Sequence, residues 1–181
     1  MAGKLIVVSG PAGVGKGTIV KTVVKKREDV VESVSCTTRA PRPGETHGKE
    51  YYFLSKEEFL RRIDEKDFLE YDEHFGNYYG TPESFVREQL KEKTVILEID
   101  VVGALNAKKA FPDSVLVMIA PPSIEELKRR LIGRGTETAE QIEGRLARLE
   151  YELAKKDEYD YVIINDVLED AVAQLERIID K

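Results

Sequence analysis

The chain has 181 residues, with 28 basic against 34 acidic side chains for a net charge of −6; 41% of it is hydrophobic and 34% charged. That length fits one domain, the composition is that of a folded rather than a disordered chain, and the acidity argues against a nucleic-acid partner. No apolar run approaches the roughly 18 residues of a membrane helix, the first ten residues lack a signal-peptide pattern, and the single Cys36 excludes a disulfide framework or a cysteine zinc site; a cytoplasmic protein is expected.

Leu5-Ile6-Val7-Val8 is a continuous apolar run, as in a strand buried on both faces of a parallel sheet. A glycine-rich turn follows, then a helical pattern from Lys16 to about Arg27. From Val34 to Thr81 the rhythm changes to short strands at 51–53, 68–75 and 78–79, with Gly76-Asn77 as a turn. A helix from about Lys56 to Lys66 sits among them, capped by Ser55 with Glu58 three residues on. This segment reads as a small mixed α/β insert. Beyond it, Thr81 is expected to cap a helix that Pro82 opens. Apolar runs at 94–97, 115–119 and 161–164 read as further buried strands. Ser123 with Glu126, and Thr138 with Gln141, form capping boxes for two more helices, joined by a connector at Gly133–Thr136. Strands alternating with helices predict a three-layer α/β fold around a parallel sheet.

Gly10-Pro11-Ala12-Gly13-Val14-Gly15-Lys16-Gly17-Thr18 lies between the first strand and the first helix. Glycines there let backbone N–H groups curl around phosphate oxygens, the lysine reaches the terminal phosphates, and the helix N-terminus faces the anion. Gly17 stands where Ser or Thr usually meets Mg²⁺, so Thr18 is expected to take that contact, directly or through water. A nucleoside triphosphate site follows, which alone does not separate a GTPase, a motor ATPase and a small-molecule kinase. Asp100-Val101-Val102-Gly103 matches the DxxG element of GTPases, but no Asn-Lys-x-Asp base-reading element follows any later strand. Asp100 reads instead as a carboxylate at the carboxyl end of a central strand, facing a crevice where it orients hydrated Mg²⁺ or a substrate amine. Arg39 and Arg42, three apart on a loop stiffened by Pro41 and Pro43, offer two guanidinium forks to one phosphate. Tyr51 and Tyr79 add phenolic donors, while Tyr52 and Tyr78 read as packing residues. His47 and His74 read as surface residues.

The segments 33–45 (SVSCTTRAPRPGE), 48–53 (GKEYYF) and 76–81 (GNYYGT) resemble the GMP-binding region of guanylate kinases. IAPPS (119–123), GRGTE (133–137) and IIND (163–166) match the rest of that family, so the resemblance runs from the first strand to the last helix. It implies a P-loop NTPase fold with a core at about 1–33, 82–125 and 157–181, a GMP-binding insert at about 34–81 and a helical lid at about 126–156. The implied reaction is Mg²⁺-dependent phosphoryl transfer from ATP to GMP, with dGMP as a further acceptor, by a monomer or homodimer. Arg39, Arg42, Tyr51 and Tyr79 would hold the GMP phosphate, and Ser35, Glu70, Thr81 and Asp100 would surround the guanine. Lys16, Arg39, Arg134 and Arg145 would act on the transferring phosphates, residues 10–18 would bind ATP, and Asn165 would lie near the adenine. Guanine presents two adjacent donors, N1–H and the 2-amino group, which one carboxylate such as Glu70 accepts together, whereas adenine leaves it unpaired. Arg148, three residues from Arg145, reads as a second cleft candidate or a surface residue.

Overall fold

The computed structural model describes residues 3–74, 76–126, 129 and 139–181, without the side chains of 139, 141, 142 and 145. Its first half contains β1 (Leu5–Ser9), α1 (Lys16–Lys26), β2 (Val30–Glu32), β3 (Cys36–Thr37), β4 (Tyr52–Phe53), α2 (Lys56–Asp64), β5 (Phe68–His74) and β6 (Asn77–Pro82). There follow α3 (Glu83–Gln89), β7 (Thr94–Glu98), α4 (Val101–Ala110), β8 (Val115–Ala120), α5 (Ala139–Ala154), β9 (Tyr161–Ile164) and α6 (Leu168–Ile179). None of the described helices is long and apolar enough to cross a membrane.

Five strands form a parallel sheet in the order β2-β7-β1-β8-β9. Side chains alternate across it. Ile6, Val8, Ile96, Val117, Ile119 and Ile163 pack on α1 and α6, while Leu5, Val7, Val95, Leu97 and Leu116 pack against Val86 of α3 and Ala104 and Ala107 of α4. Helices on both faces explain why these strands read as unbroken apolar runs. The result is the three-layer α/β architecture, with the loop after β1 emerging at the carboxyl end of the central strand.

A second, four-stranded sheet in the order β4-β3-β6-β5 is mixed: β3 pairs with β4 in parallel and with β6 antiparallel. Phe59 of α2 stacks on Phe68 of β5 at 4.5 Å between ring centroids and on Tyr78 at 5.4 Å, closing a separate small core over Cys36. Ser55 caps α2 as expected, its Oγ accepting from Glu58 N at 3.1 Å. The helix ends at Asp64 rather than Lys66, which adopts a left-handed φ of 56°.

Thr81 does not cap the next helix. Pro82 still belongs to β6 and holds the cap position with extended backbone, while the Thr81 hydroxyl is buried and turned toward β5. β2 and β3 escape a pattern reading because three and two residues are too few to show periodicity. Ser123 accepts from Glu126 N at 3.0 Å, as its capping box predicts. The Thr138 box and the Gly133–Thr136 connector lie outside the described residues.

Candidate active site

Residues 10–15 link the carboxyl end of β1 to α1. Gly10 has φ of +143°, and a Cβ there would lie 2.1 Å from the Ile119 carbonyl oxygen of β8. Gly10→Ala is therefore expected to cost roughly 3 kcal/mol or more of folding stability, read as a lowered denaturation midpoint. An unchanged midpoint would contradict this close approach. Behind the loop, Asn165 Nδ2 donates to the Val14 carbonyl at 2.8 Å and lies 2.5 Å from where a Cβ on residue 15 would be. Asn165 thus braces the underside of the loop. Lys16 Nζ folds back to donate to the carbonyls of Gly10 at 2.7 Å and Pro11 at 3.1 Å. Burial lowers its pKa, opposed by the nearby carboxylates of Glu98, Glu152 and Asp100.

A Cβ at position 17 would lie 3.2 and 3.4 Å from the Glu98 carboxylate oxygens, so the last residue of β7 reaches the head of α1 at the point where the usual Ser or Thr would stand. Thr18 is exposed on α1 and is not among the residues lining the cavity in front of the loop. The carboxylate that approaches the head of α1 is Glu98.

That cavity has a volume of about 420 Å³. One side is the loop, with Gly10, Pro11, Ala12, Gly13 and Lys16; the other is the second sheet and its loop, with Ser35, Arg42, Tyr51, Glu70 and Tyr79. Glu98, Asp100 and Arg148 line it between the two. Glu70 of β5 is only 7% exposed, and Thr81 Oγ1 donates to its Oε1 at 2.6 Å. Burial pushes this carboxyl up to about 8; the Thr81 hydrogen bond opposes the shift, and Asp100 and Asp72 add to it. Asp100 caps α4, its Oδ1 accepting from Gly103 N at 2.7 Å, while Arg148 Nη2 donates to Oδ2 at 2.9 Å. A Cβ on Gly103 would lie 2.9 Å from Glu70 Oε2 and 3.2 Å from Asp100 Oδ1. The two carboxylates converge over a residue with no side chain.

Arg39 stands differently from Arg42. It does not line the cavity: its Nη2 donates to both Glu45 carboxylate oxygens at 2.9 Å, its Nη1 donates to the Ala40 carbonyl at 2.6 Å, and its guanidinium lies 5.4 Å from the Tyr51 ring centroid. Tyr51 and Tyr79 meet edge to face at 6.1 Å, and burial pushes the Tyr51 hydroxyl up to about 12.

The structure thus gathers Lys16, Ser35, Arg42, Tyr51, Glu70, Tyr79 and Asp100 around one space, with Thr81 behind Glu70. It does not bring Thr18 there. Asn165 sits beneath the loop, Val14 is packed into the core, and Arg134 and the Arg145 side chain lie outside the described residues. Sequence reasoning overlooked Glu45, Glu98 and Glu152, and it took His74 for a surface residue. His74 lines the cavity 3.9 Å from Asp100 Oδ2, and its pKa is lowered by burial and then by Arg148. Two signals were available: Glu98 and Asp100 are two residues apart at a strand end, and Arg148 and Glu152 are four apart on a helix.

The family model described as "Guanylate kinase" matches residues 2–181. The chain is 52% identical over 178 residues to a guanylate kinase of Clostridium perfringens (strain SM101 / Type A), spanning 98% of this chain and 82% of that protein. It is 46% identical over 180 residues to one of Thermotoga maritima, spanning 99% and 87% respectively. The crystal structure of guanylate kinase from Anaplasma phagocytophilum superposes with a TM-score of 0.82 at 34% identity, covering 99% of this chain and 85% of that one. The chain belongs to the guanylate kinase family, nucleoside monophosphate kinases whose known reaction is the ATP-dependent phosphorylation of GMP.

Proposed function

We propose that ATP and GMP occupy opposite ends of the 420 Å³ cavity and that the γ-phosphoryl group passes directly between them. One observation carries this reading: a single cavity is lined both by a phosphate-cradling loop with its lysine and by an arginine, two tyrosines and two converging carboxylates. A GMP phosphate oxygen attacks the γ-phosphorus of ATP, forming a new P–O bond while the bond to the bridging β,γ-oxygen breaks and ADP leaves. The attacking phosphate is already ionised at neutral pH, so the protein's task is positioning and charge stabilisation. Arg42, Tyr51 and Tyr79 bind the GMP phosphate, with Arg39 joining them from its place beside Tyr51. Lys16 and the loop N–H groups hold the ATP phosphates. Glu70 and Asp100 read the guanine edge, with Ser35 beside them. Arg134 and Arg145, on a lid at about 126–156, close over the transferring phosphates and exclude water.

The donor set beside Lys16 suits magnesium. Glu98 offers hard carboxylate oxygens at the head of α1, and this ion characteristically takes one or two carboxylates together with substrate phosphates. Among the described residues no cluster of three or more His, Cys, Asp or Glu is arranged to cage a metal. Bound there, the ion offsets phosphate charge. Glu98 takes the place that the loop pattern gives to a hydroxyl residue.

The test is ADP release from ATP with GMP, dGMP, AMP or no acceptor. GMP is expected to be the best acceptor, dGMP a slower one, and AMP worse by roughly 10⁴-fold because it leaves Glu70 unpaired. Equal turnover of AMP, or fast ADP release with no acceptor, would overturn the reading.

A further inference from the structure

Arg148 lies on α5 in the wall of the cavity, with 28% of its side chain exposed. The reaction outlined above gives it no part. Its Nη2 donates to Asp100 Oδ2 at 2.9 Å and its Nε donates to Glu152 Oε1 at 2.8 Å. Glu152 is one helical turn further on and only 5% exposed. An exposed ion pair would contribute little. This one joins α5 to Asp100, which follows β7 by two residues and caps α4, and it neutralises Glu152, a carboxylate that is almost wholly buried.

The charge balance of the cavity shows what the contact does. Among the described residues, five carboxylates line it (Glu70, Asp72, Glu98, Asp100 and Glu152) against three fixed cations, Lys16, Arg42 and Arg148. The Lys16 hydrogen bonds go to loop carbonyls, and Arg148 is the lining cation that donates to Asp100. Loss of that donor would free Oδ2 to turn away from its place in the cavity wall. Each carboxylate oxygen has two acceptor sites. With Gly103 N–H on Oδ1 and Arg148 on Oδ2, the plane of Asp100 is fixed from two sides and one acceptor site remains on each oxygen.

We infer that Arg148 is a positioning residue for purine recognition, holding Asp100 so that its remaining lone pairs meet the donor edge of guanine. The inference rests on GMP occupying that end of the cavity. It also distinguishes Arg148 from arginines that act on the transferring phosphates, because its effect must fall on the base.

The experiment compares wild type, Arg148→Met, Arg148→Lys, Asp100→Asn and the Arg148→Met/Asp100→Asn double variant, with GMP and with IMP, which lacks the 2-amino group. Arg148→Met is expected to raise the KM for GMP about tenfold while leaving kcat and the KM for ATP within about twofold. The preference for GMP over IMP should narrow by a similar factor, and Arg148→Lys, which keeps the charge, should recover part of it. In the Asp100→Asn background the Met substitution should add less than about twofold, because it then has nothing to position. A larger change in the KM for ATP or in kcat, an unaltered GMP-to-IMP preference, or a full tenfold effect without the Asp100 carboxylate would each overturn the inference. If Arg148→Met does not fold, the Lys variant and its cycle with Asp100→Asn carry the same comparison. Wild-type protein that phosphorylates neither nucleotide would instead refute the proposed function.

Discussion

Replacing Glu70 by Gln is expected to lower kcat/KM for GMP by about 10²–10³-fold while leaving the KM for ATP within about twofold. The carboxylate is acceptor-only when ionised and takes both guanine donors, whereas the amide presents an NH₂ to one of them. Glu70 is only 7% exposed, so an unmatched donor against it is costly. The same burial predicts a pH dependence. The Glu70 carboxyl is pushed up to about 8, so in the nucleotide-free protein it is largely protonated at neutral pH. GMP pairs with the ionised form, so binding releases a proton and affinity falls nearly tenfold, by roughly 0.9 log units, from pH 8.5 to pH 7. Folding stability changes in the opposite direction. A carboxyl whose folded pKa is raised keeps its proton in the native state over a range where the unfolded chain has lost it. Its contribution is complete below about pH 4.5 and is lost as pH rises through about 8. Gln at position 70 should remove both effects. A GMP affinity that is flat with pH in wild type, or equal pH slopes in the two proteins, would refute this account.

Much of this was legible in the sequence where one physical rule dominates. The parallel sheet announced itself because strands covered on both faces must be apolar throughout, as Leu5–Val8 and Val115–Ile119 are. The loop after β1 was legible because its glycines, lysine and flanking elements all point to the same conclusion. Thr81 was misread because a hydroxyl before a proline is a good cap in isolation; pairing with buried Glu70 is a tertiary demand that no local pattern shows. Thr18 is assigned by analogy with a hydroxyl at position 17, and local sequence does not show that the Glu98 carboxylate, far downstream, comes close to Gly17. His74 reads as a surface residue, and Arg148 as either a cleft candidate or a surface residue, because local spacing cannot say which face of a helix or strand end meets a cavity. By contrast Glu45 could have been read: Pro43-Gly44 is a turn signal, Gly44 has φ of +88°, and Glu45 N donates to the Arg42 carbonyl at 3.0 Å. That turn returns Glu45 to the arginines that precede it.

Arg39→Ala is expected to reduce kcat/KM for GMP by about 10²-fold or more with the KM for ATP nearly unchanged, and Glu45→Ala to raise the KM for GMP about tenfold. The second expectation is not obvious. Glu45 already pairs with the guanidinium that a phosphate needs, and were it only a competitor, its removal would favour GMP. Two features decide for the opposite sign. Both Glu45 oxygens are met by the single Nη2 of Arg39, and a guanidinium has five N–H donors, so a phosphate can bind without displacing the carboxylate. Glu45 also accepts from the Arg42 backbone N–H at 2.7 Å, which joins both arginines to one anchor and holds the Glu45 pKa below its usual value, with Arg39 the larger cause. The pair is largely shielded, at 15% and 17% side-chain exposure, so it is not lost to solvent screening. Without Glu45 the loop must be ordered at the expense of GMP binding. Steady-state kinetics at fixed pH with each nucleotide varied in turn decide the matter. Tighter GMP binding by Glu45→Ala would make Glu45 a competitor rather than an organiser, and an equal loss of ATP and GMP use in Arg39→Ala would remove Arg39 from the monophosphate clamp.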